Sequence, residues 1–253
     1  MSLRIGDAVG DGVRRAVTYS GGLLMALIFV YQLLVVGSVN RIVTAVLPPE
    51  AQPRPELGLV IPVPVAVAAG LVVVGLLFGP VLYLWAARAL TRSQSDLDSL
   101  PGKLLTRRIG RATVSAVGAN IVVSIAVLIG FILFIVPGVF LAISFVFYLF
   151  AIGVEDERAI DAMRRSWTLA SGDRWPLLGL GLLVLILTAV ASTLGSILSF
   201  VSPVAGQVGS LALRSVLAIV VYSILADAYV QLADEKPPGP DAGRPASDPE
   251  PVA

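Results

Sequence analysis

Residues 154–178 read VEDERAIDAMRRSWTLASGDRWPLL and place nine charged side chains, from Glu155 to Arg174, between two long apolar runs. In the whole chain 14% of residues are charged, so this stretch is unusually rich in charge. A short charged segment between apolar runs is typical of a loop that joins two membrane-spanning helices. The stretch therefore predicts that the chain crosses a membrane just before it and again just after it.

The composition extends this interpretation to the rest of the chain. Of the 253 residues, 57% are hydrophobic, and the mean hydropathy is +0.90, whereas a soluble domain is roughly 45–50% apolar. We predict an all-α fold, a polytopic membrane bundle of six transmembrane helices in a domain over residues 1–235, followed by a disordered cytoplasmic tail over 236–253. The six spans are expected at about 17–37, 64–87, 112–135, 139–154, 177–200 and 211–233.

Glycine and proline mark two local features of these spans. Pro137 and Gly138 stand in the short interval between the third and fourth spans, where they predict a helix break and a tight hairpin at one membrane face. Gly75 and Gly79 are four residues apart in the second span. That spacing lets two helices approach closely, and we expect it to serve packing within the bundle.

The basic residues are distributed unevenly among the loops. Segments 1–16, 88–111, 155–176 and 234–253 hold fifteen Lys and Arg residues together, whereas the remaining segments hold three. Cytoplasmic loops are enriched in Lys and Arg relative to external ones. We therefore expect a multi-pass protein of the cell membrane with both termini in the cytoplasm.

A helical pattern runs through the charged stretch itself. Apolar side chains recur at intervals of three and four residues, the spacing of one helix face: Ile160, Met163, Trp167 and Ala170. Asp161, Arg164, Arg165 and Thr168 fall on the opposite face. With Asp156 as the expected N-cap and Gly172 as the expected C-terminal stop, the pattern predicts a short amphipathic helix at the membrane interface, between the fourth and fifth spans.

The same region carries a longer motif. A Pro-Gly turn is followed by an apolar span, an acidic residue and then Ala-x-x-x-Ser-x-x-Leu-x-x-Gly-x-x-Trp, at positions Pro137, Gly138, Glu155, Ala162, Ser166, Leu169, Gly172 and Trp175. This motif resembles an uncharacterised six-helix integral membrane family related to the membrane domain of some bacterial glycerophosphodiester phosphodiesterases. The chain has two lysines and sixteen arginines, and this preference for arginine resembles the composition of haloarchaeal members of that family. No segment resembles the catalytic barrel of the fused proteins, so the resemblance implies a fold and no activity.

Two polar residues inside the spans are candidates for a functional site. An intramembrane carboxylate is costly, and Asp227 is explained by a structural partner, by solvation near the interface, or by a proton or cation site. Asn120 belongs to a stripe at four-residue steps, with Ala112, Ala116 and Ser124. We expect this stripe to face the bundle interior, where Asn120 would hydrogen-bond to another helix rather than bind a ligand.

Two groups of arginines flank the predicted cytoplasmic ends of the spans: Arg107, Arg108 and Arg111, and Arg164 and Arg165. Anionic lipid headgroups attract such residues by roughly 1 kcal/mol each. The same arginines are also explained by the charge bias that orients the protein, without any specific lipid.

The composition excludes several chemistries. The chain has no Cys and no His, so thiol nucleophiles, thiolate metal sites and histidine bases are ruled out. We expect no cofactor, no metal, no catalytic residues and no nucleic-acid partner. Two functions remain: a non-catalytic membrane protein that organises membrane lipids or a partner membrane protein at the inner leaflet, and a small-solute or ion transporter or permease, which would need a polar path at mid-membrane. The pattern leaves the oligomeric state open.

Overall fold

The computed structural model describes residues 5–48, 58–93, 96–99, 101–200 and 202–237. Over these residues the chain forms ten helices and no strand: α1 (Ile5–Ala16), α2 (Tyr19–Val46), α3 (Val65–Leu90), α4 (Gly102–Thr106), α5 (Ile109–Leu133), α6 (Ile135–Ser144), α7 (Tyr148–Val154), α8 (Ala159–Ala170), α9 (Arg174–Ser199) and α10 (Pro203–Glu235). Six segments are long and apolar enough to cross a membrane: α2, α3, α5, α6 with α7, α9 and α10. The prediction of an all-α bundle with six such segments is confirmed. Most of the predicted tail lies outside the described residues.

Side chains define where the first and last long helices begin. The Thr18 hydroxyl accepts a hydrogen bond from the Gly21 amide at the start of α2, and Ser202 caps α10 in the same way. Pro203 follows Ser202 in the first turn of α10, where the missing N–H of proline costs nothing. Helix α2 continues to Val46, past the end of its apolar run, and its last turns contact the next segment through hydrogen bonds such as that from Asn40 to the Leu59 carbonyl, 2.8 Å long.

The glycine pair of the second span packs against α2. A Cβ atom on Gly75 would lie 2.6 Å from the side chain of Val35, and one on Gly79 would lie 2.6 Å from the Tyr31 hydroxyl oxygen. No side chain fits at either position without a shift of its neighbour. The close approach of α2 and α3 therefore requires these glycines, as their spacing predicts.

The break between the third and fourth spans lies earlier than predicted. Helix α5 ends at Leu133, Phe134 is extended, and Pro137 and Gly138 lie in the first turn and a half of α6. The prediction that Pro137 and Gly138 themselves break the helix was wrong, because proline is tolerated in the first turn of a helix. Gly138 and Gly130 instead allow contact between the two helices, since a Cβ atom on Gly138 would lie 2.5 Å from the Phe131 ring and one on Gly130 would lie 2.8 Å from the Gly138 Cα.

Candidate functional site

Five ion pairs between described residues lie at one end of the bundle, and four of them join segments far apart in sequence. They are Arg15–Asp227, Arg88–Asp156, Arg107–Asp156, Arg165–Glu155 and Lys236–Asp173. We call this end the charged end. It brings together the ends of α1, α3, α7 and α10 and the starts of α5, α8 and α9. Most residues of the sequence motif lie at this charged end.

Glu155, the acidic residue of the motif, connects three helices. Its carboxylate accepts hydrogen bonds from Nε and Nη2 of Arg165 at 3.0–3.2 Å and from the Tyr229 hydroxyl at 2.6 Å. The third guanidinium nitrogen of Arg165 donates to the Lys236 carbonyl at 2.6 Å. A forked, charge-assisted arrangement of this kind is both strong and directional. It ties the end of α7 to α8 and α10.

Ser166, the serine of the motif, bridges an interruption in the fourth span. Its buried hydroxyl accepts a hydrogen bond from the Phe147 amide and donates one to the Ser144 carbonyl, each 3.0 Å long. Helix α6 ends and α7 begins at this point, so both backbone groups lack a full set of helical partners. Ser166 therefore supplies polar partners where the span is broken and docks α8 there.

The buried face of α8 differs from the predicted one. Ala162, Ser166, Leu169 and Ala170 are buried, whereas Ile160 is 60% exposed and Trp167 is 37% exposed. Of the four apolar residues that the helical spacing groups on one face, Ala170 is buried and Met163 packs partly buried against the bundle, whereas Ile160 and Trp167 lie outside the packed face. Trp167 still contacts the rings of Phe140 and Phe145, at 5.6 and 5.8 Å between centroids.

The two ends of α8 agree only in part with the expected caps. Gly172 has a φ of +95° just after the helix, the left-handed conformation that glycine favours at a helix C-terminus. At the other end the N-cap is Arg158, with no side-chain hydrogen bond, and the prediction of Asp156 was wrong. The Asp156 carboxylate instead pairs with Arg88 and Arg107. Trp175 is 83% exposed.

Arg88 is buried, and the sequence reasoning did not single it out. Its Nε donates to the Gly153 carbonyl at 2.8 Å and its Nη1 to the Leu104 carbonyl at 3.1 Å, while its Nη2 lies 3.5 Å from Asp156. The one sequence signal for this role is position, since Arg88 comes two residues before the end of an apolar helix. Together these contacts attach α3 to the end of α7.

Asp227 has a structural partner. It is 7% exposed, and its carboxylate lies 3.3 Å from Nη2 of Arg15 and accepts a hydrogen bond of 2.7 Å from Gln231. Arg15 also donates to the Leu90 carbonyl at 2.9 Å. In the sequence, Arg15 contributes only to the count of basic residues. Nothing in the sequence distinguishes it from its exposed neighbour Arg14.

The Asn120 side chain is exposed, contrary to the expectation that its stripe faces the bundle interior, but it does hydrogen-bond to another helix as expected. Ala112 and Ala116 are buried, whereas Asn120 and Ser124 are exposed. Because an α-helix has 3.6 residues per turn, each step of four residues rotates by about 40°, and three steps rotate by about 120°. The stripe therefore winds off the packed face. The Asn120 oxygen accepts hydrogen bonds from Ser124 and from the Tyr148 hydroxyl, at 3.3 and 3.4 Å.

Four of the five predicted headgroup arginines fall into two groups. Arg107 and Arg165 are engaged by carboxylates. Arg111 and Arg164 instead line an open groove of about 880 Å³ between the start of α5 and the start of α8, together with Arg158, Val114, Ile160, Asp161, Gly110, Ser115 and Ala159. Arg108 immediately precedes α5 with a φ of +44°. We call this groove the α5–α8 groove.

Carboxylates beside the α5–α8 groove influence one another. Burial raises the pKa of Glu157, and the nearby carboxylates of Asp161 and Glu155 raise it further, while Arg165 and Arg111 lower it. Among the described residues no group of three or more acidic side chains is placed to hold a metal ion.

Comparison with known proteins places this architecture in a family. A domain of unknown function, DUF7847, matches residues 3–232. The chain belongs to the DUF7847 family. Four of the five ion pairs lie within the DUF7847 domain, and the fifth reaches just past it to Lys236. No curated protein and no solved structure matches the chain. The DUF7847 match names no activity and carries no link to glycerophosphodiester phosphodiesterases.

Proposed function

We propose that this chain is a non-catalytic protein of the cell membrane that organises anionic lipids at the inner leaflet, with its charged end in the cytoplasm. The observation that carries the proposal is the α5–α8 groove. Arg111, Arg158 and Arg164 line it beside one acidic residue, Asp161. None of the three arginines has a carboxylate partner among the described residues.

The apolar residues of the α5–α8 groove suit a lipid better than a soluble anion. Val114 is 75% exposed and Ile160 is 60% exposed, and both lie beside the arginines. Basic side chains next to exposed apolar ones match the boundary between lipid headgroups and acyl chains. In the same proposal α8 lies along this boundary as an amphipathic helix.

The motif residues support a structural role rather than catalysis. Glu155 and Ser166 use their polar groups on Arg165, Tyr229 and backbone atoms. The resemblance of the motif to the membrane domain of glycerophosphodiester phosphodiesterases, and to haloarchaeal members of that family, supports a six-helix lipid-facing domain in an archaeal membrane.

The alternative, a transporter or permease, is less well supported. Of the polar residues at depth, Gln32 donates to Ser215 at 3.3 Å, Asp227 pairs with Arg15 and Asn120 faces outward. These groups satisfy one another or face away from the bundle interior, which speaks against a shared polar path.

The lipid proposal is tested by purifying the full chain into nanodiscs that contain equal amounts of phosphatidylglycerol and phosphatidylcholine. After extraction into detergent, native mass spectrometry counts the lipids retained. We expect retained phosphatidylglycerol to fall in a variant with Arg111→Gln, Arg158→Gln and Arg164→Gln. Arg214→Gln, an exposed arginine elsewhere on α10, is the control. Unchanged enrichment in the triple variant would refute the proposal, and a flux of solute in vesicles would favour the transporter.

Orientation is tested separately in a chain that has no native cysteine. Cysteine at Ser99, near the charged end, should be protected from an impermeant maleimide in intact cells. Cysteine at Val46, which is 68% exposed at the other end of α2, should react. The reverse labelling pattern would place the charged end outside.

A further inference from the structure

Arg174 differs from the other arginines packed into the bundle. Arg15, Arg88 and Arg165 each have a carboxylate partner. Among the described residues the Arg174 side chain has neither a carboxylate partner nor a hydrogen bond, and its Nε is buried without one. Its Cζ instead lies 4.4 Å from the centroid of the Phe140 ring and 5.1 Å from that of Trp167.

An apolar groove of about 510 Å³ has its first lining residues on α9 one turn after Arg174. It runs between α6 and α9 with α10 at its base, and its lining includes Ile143, Val146, Leu178, Gly181, Val221 and Leu225. Its volume is within the roughly 300–1,000 Å³ of small-molecule sites. We call it the α6–α9 groove.

Residues that lie close to Arg174 and to its ring partner Phe140 in the chain line the α6–α9 groove. Leu177 and Leu178, one turn after Arg174 on α9, line the groove, and so does Val139, the residue before Phe140 on α6. Arg174 begins α9, and the preceding residue, Asp173, pairs with Lys236. Arg174 is therefore near the end of the groove that faces the charged end of the bundle, and the apolar lining extends away from it.

We propose that the α6–α9 groove binds one apolar chain of an anionic phospholipid from the surrounding membrane, with the lipid phosphate on Arg174. A cation with no counter-ion beside apolar surface is costly, and a phosphate would provide that counter-ion through paired N–H donors. The rings of Phe140 and Trp167 hold the guanidinium plane in place for this contact. Burial of the chain against leucine and valine side chains stabilises the other part of the lipid.

This site is distinct from the α5–α8 groove because no residue lines both. The proposal therefore does not depend on the proposed function. A lipid bound here would be a resident ligand of the bundle, held by shape as well as by charge.

Two glycines of α9 provide a matched pair of variants. A Cβ atom at Gly181 or at Gly179 would meet nothing within 4 Å, so both positions tolerate a side chain. Gly181 lines the groove. Gly179, two residues earlier, is exposed and is not one of the lining residues. Gly181→Leu fills the groove, and Gly179→Leu makes the same chemical change elsewhere on the helix.

The experiment titrates the delipidated full chain, in one detergent, with dioleoyl phosphatidylglycerol, dioleoyl phosphatidylcholine or oleate, and native mass spectrometry counts the bound molecules. We expect phosphatidylglycerol to bind at one site per chain more tightly than the other two. Gly181→Leu should abolish this binding and Gly179→Leu should leave it unchanged. Arg174→Gln should weaken it about tenfold or more, since it removes charge-assisted hydrogen bonds.

Each contrary outcome is decisive. Equal binding of phosphatidylcholine, or no effect of Arg174→Gln, would overturn the role of the cation. Tighter binding of oleate would make this a fatty-acid site and overturn the phospholipid assignment. Equal effects of the two leucine variants would overturn the groove. The variant with Arg111→Gln, Arg158→Gln and Arg164→Gln should still bind phosphatidylglycerol in the α6–α9 groove. A failure of the groove proposal can therefore be distinguished from a failure of the proposed function.

Discussion

The Ser166 hydroxyl of α8 lies 3.0 Å from the Phe147 amide nitrogen of the interrupted fourth span, and it donates to the Ser144 carbonyl at the same distance. A serine from one helix thus satisfies the backbone of another helix at the point where that helix is broken. In an apolar surrounding such backbone groups need a partner. The contact explains why a short helix outside the spans is packed so closely against them.

Ser166→Ala should lower the stability of the protein by about 1–3 kcal/mol, the usual cost of leaving a buried polar group unsatisfied. The measurement is the midpoint of thermal unfolding in detergent. Thr168→Ala, two residues along on the exposed side of α8, is the control and should have little effect. Similar shifts for the two variants would contradict the bridging role of Ser166.

Glu155→Gln should destabilise the protein by about 3 kcal/mol, toward the lower end of the range for a broken buried ion pair, because Glu155 retains some exposure. The variant leaves Arg165 without its counter-charge. Combining it with Arg165→Met should recover part of the loss, and unfolding in detergent of the two single variants and the double variant gives the coupling. Additive losses would show that Glu155 and Arg165 stabilise the fold independently.

Asp227→Asn should release α1 from α10, since it removes the charge that holds Arg15. Cysteine at Ala16, which is 1% exposed, should then react with maleimide faster than it does when Asp227 is intact. Cysteine at the adjacent Val17, which is 81% exposed, should react equally in both backgrounds. If Asp227→Asn leaves the Ala16 position protected, the ion pair is not what docks α1.

Glu157 should make stability depend on pH. Its pKa is raised in the folded protein by burial and by Asp161 and Glu155, so the folded state holds this proton more tightly than the unfolded state does. The resulting stabilisation is present at acidic pH and is lost as the pH rises through the raised pKa.

Glu157→Gln is the corresponding variant, because glutamine stays uncharged at every pH. Relative to the unchanged protein, it should gain stability as the pH increases from acidic to neutral, as measured by unfolding midpoints in detergent. A difference between the two proteins that is constant over this pH range would show that Glu157 titrates normally.

Local sequence alone determined the class of the fold and several of its details. An apolar run of sufficient length forms a helix in a membrane whatever its neighbours are, because backbone groups there must be satisfied within the segment. The left-handed conformation after α8 favours glycine at position 172, and the close packing of α2 against α3 favours glycine at positions 75 and 79. These are likewise properties of one residue type at one position. These features were predicted from sequence and are present in the structure.

The partners of the charged side chains were decided by the tertiary structure. Arg15 and Asp227 are 212 residues apart, and no periodicity connects them. Asp156 has the chemistry of a helix cap, yet its carboxylate pairs with Arg88 and Arg107 because the ends of α3 and α7 meet there. Asn120 faces outward because a four-residue stripe winds around its helix. An ion pair or a buried face depends on which helices lie side by side, and only the folded bundle determines that.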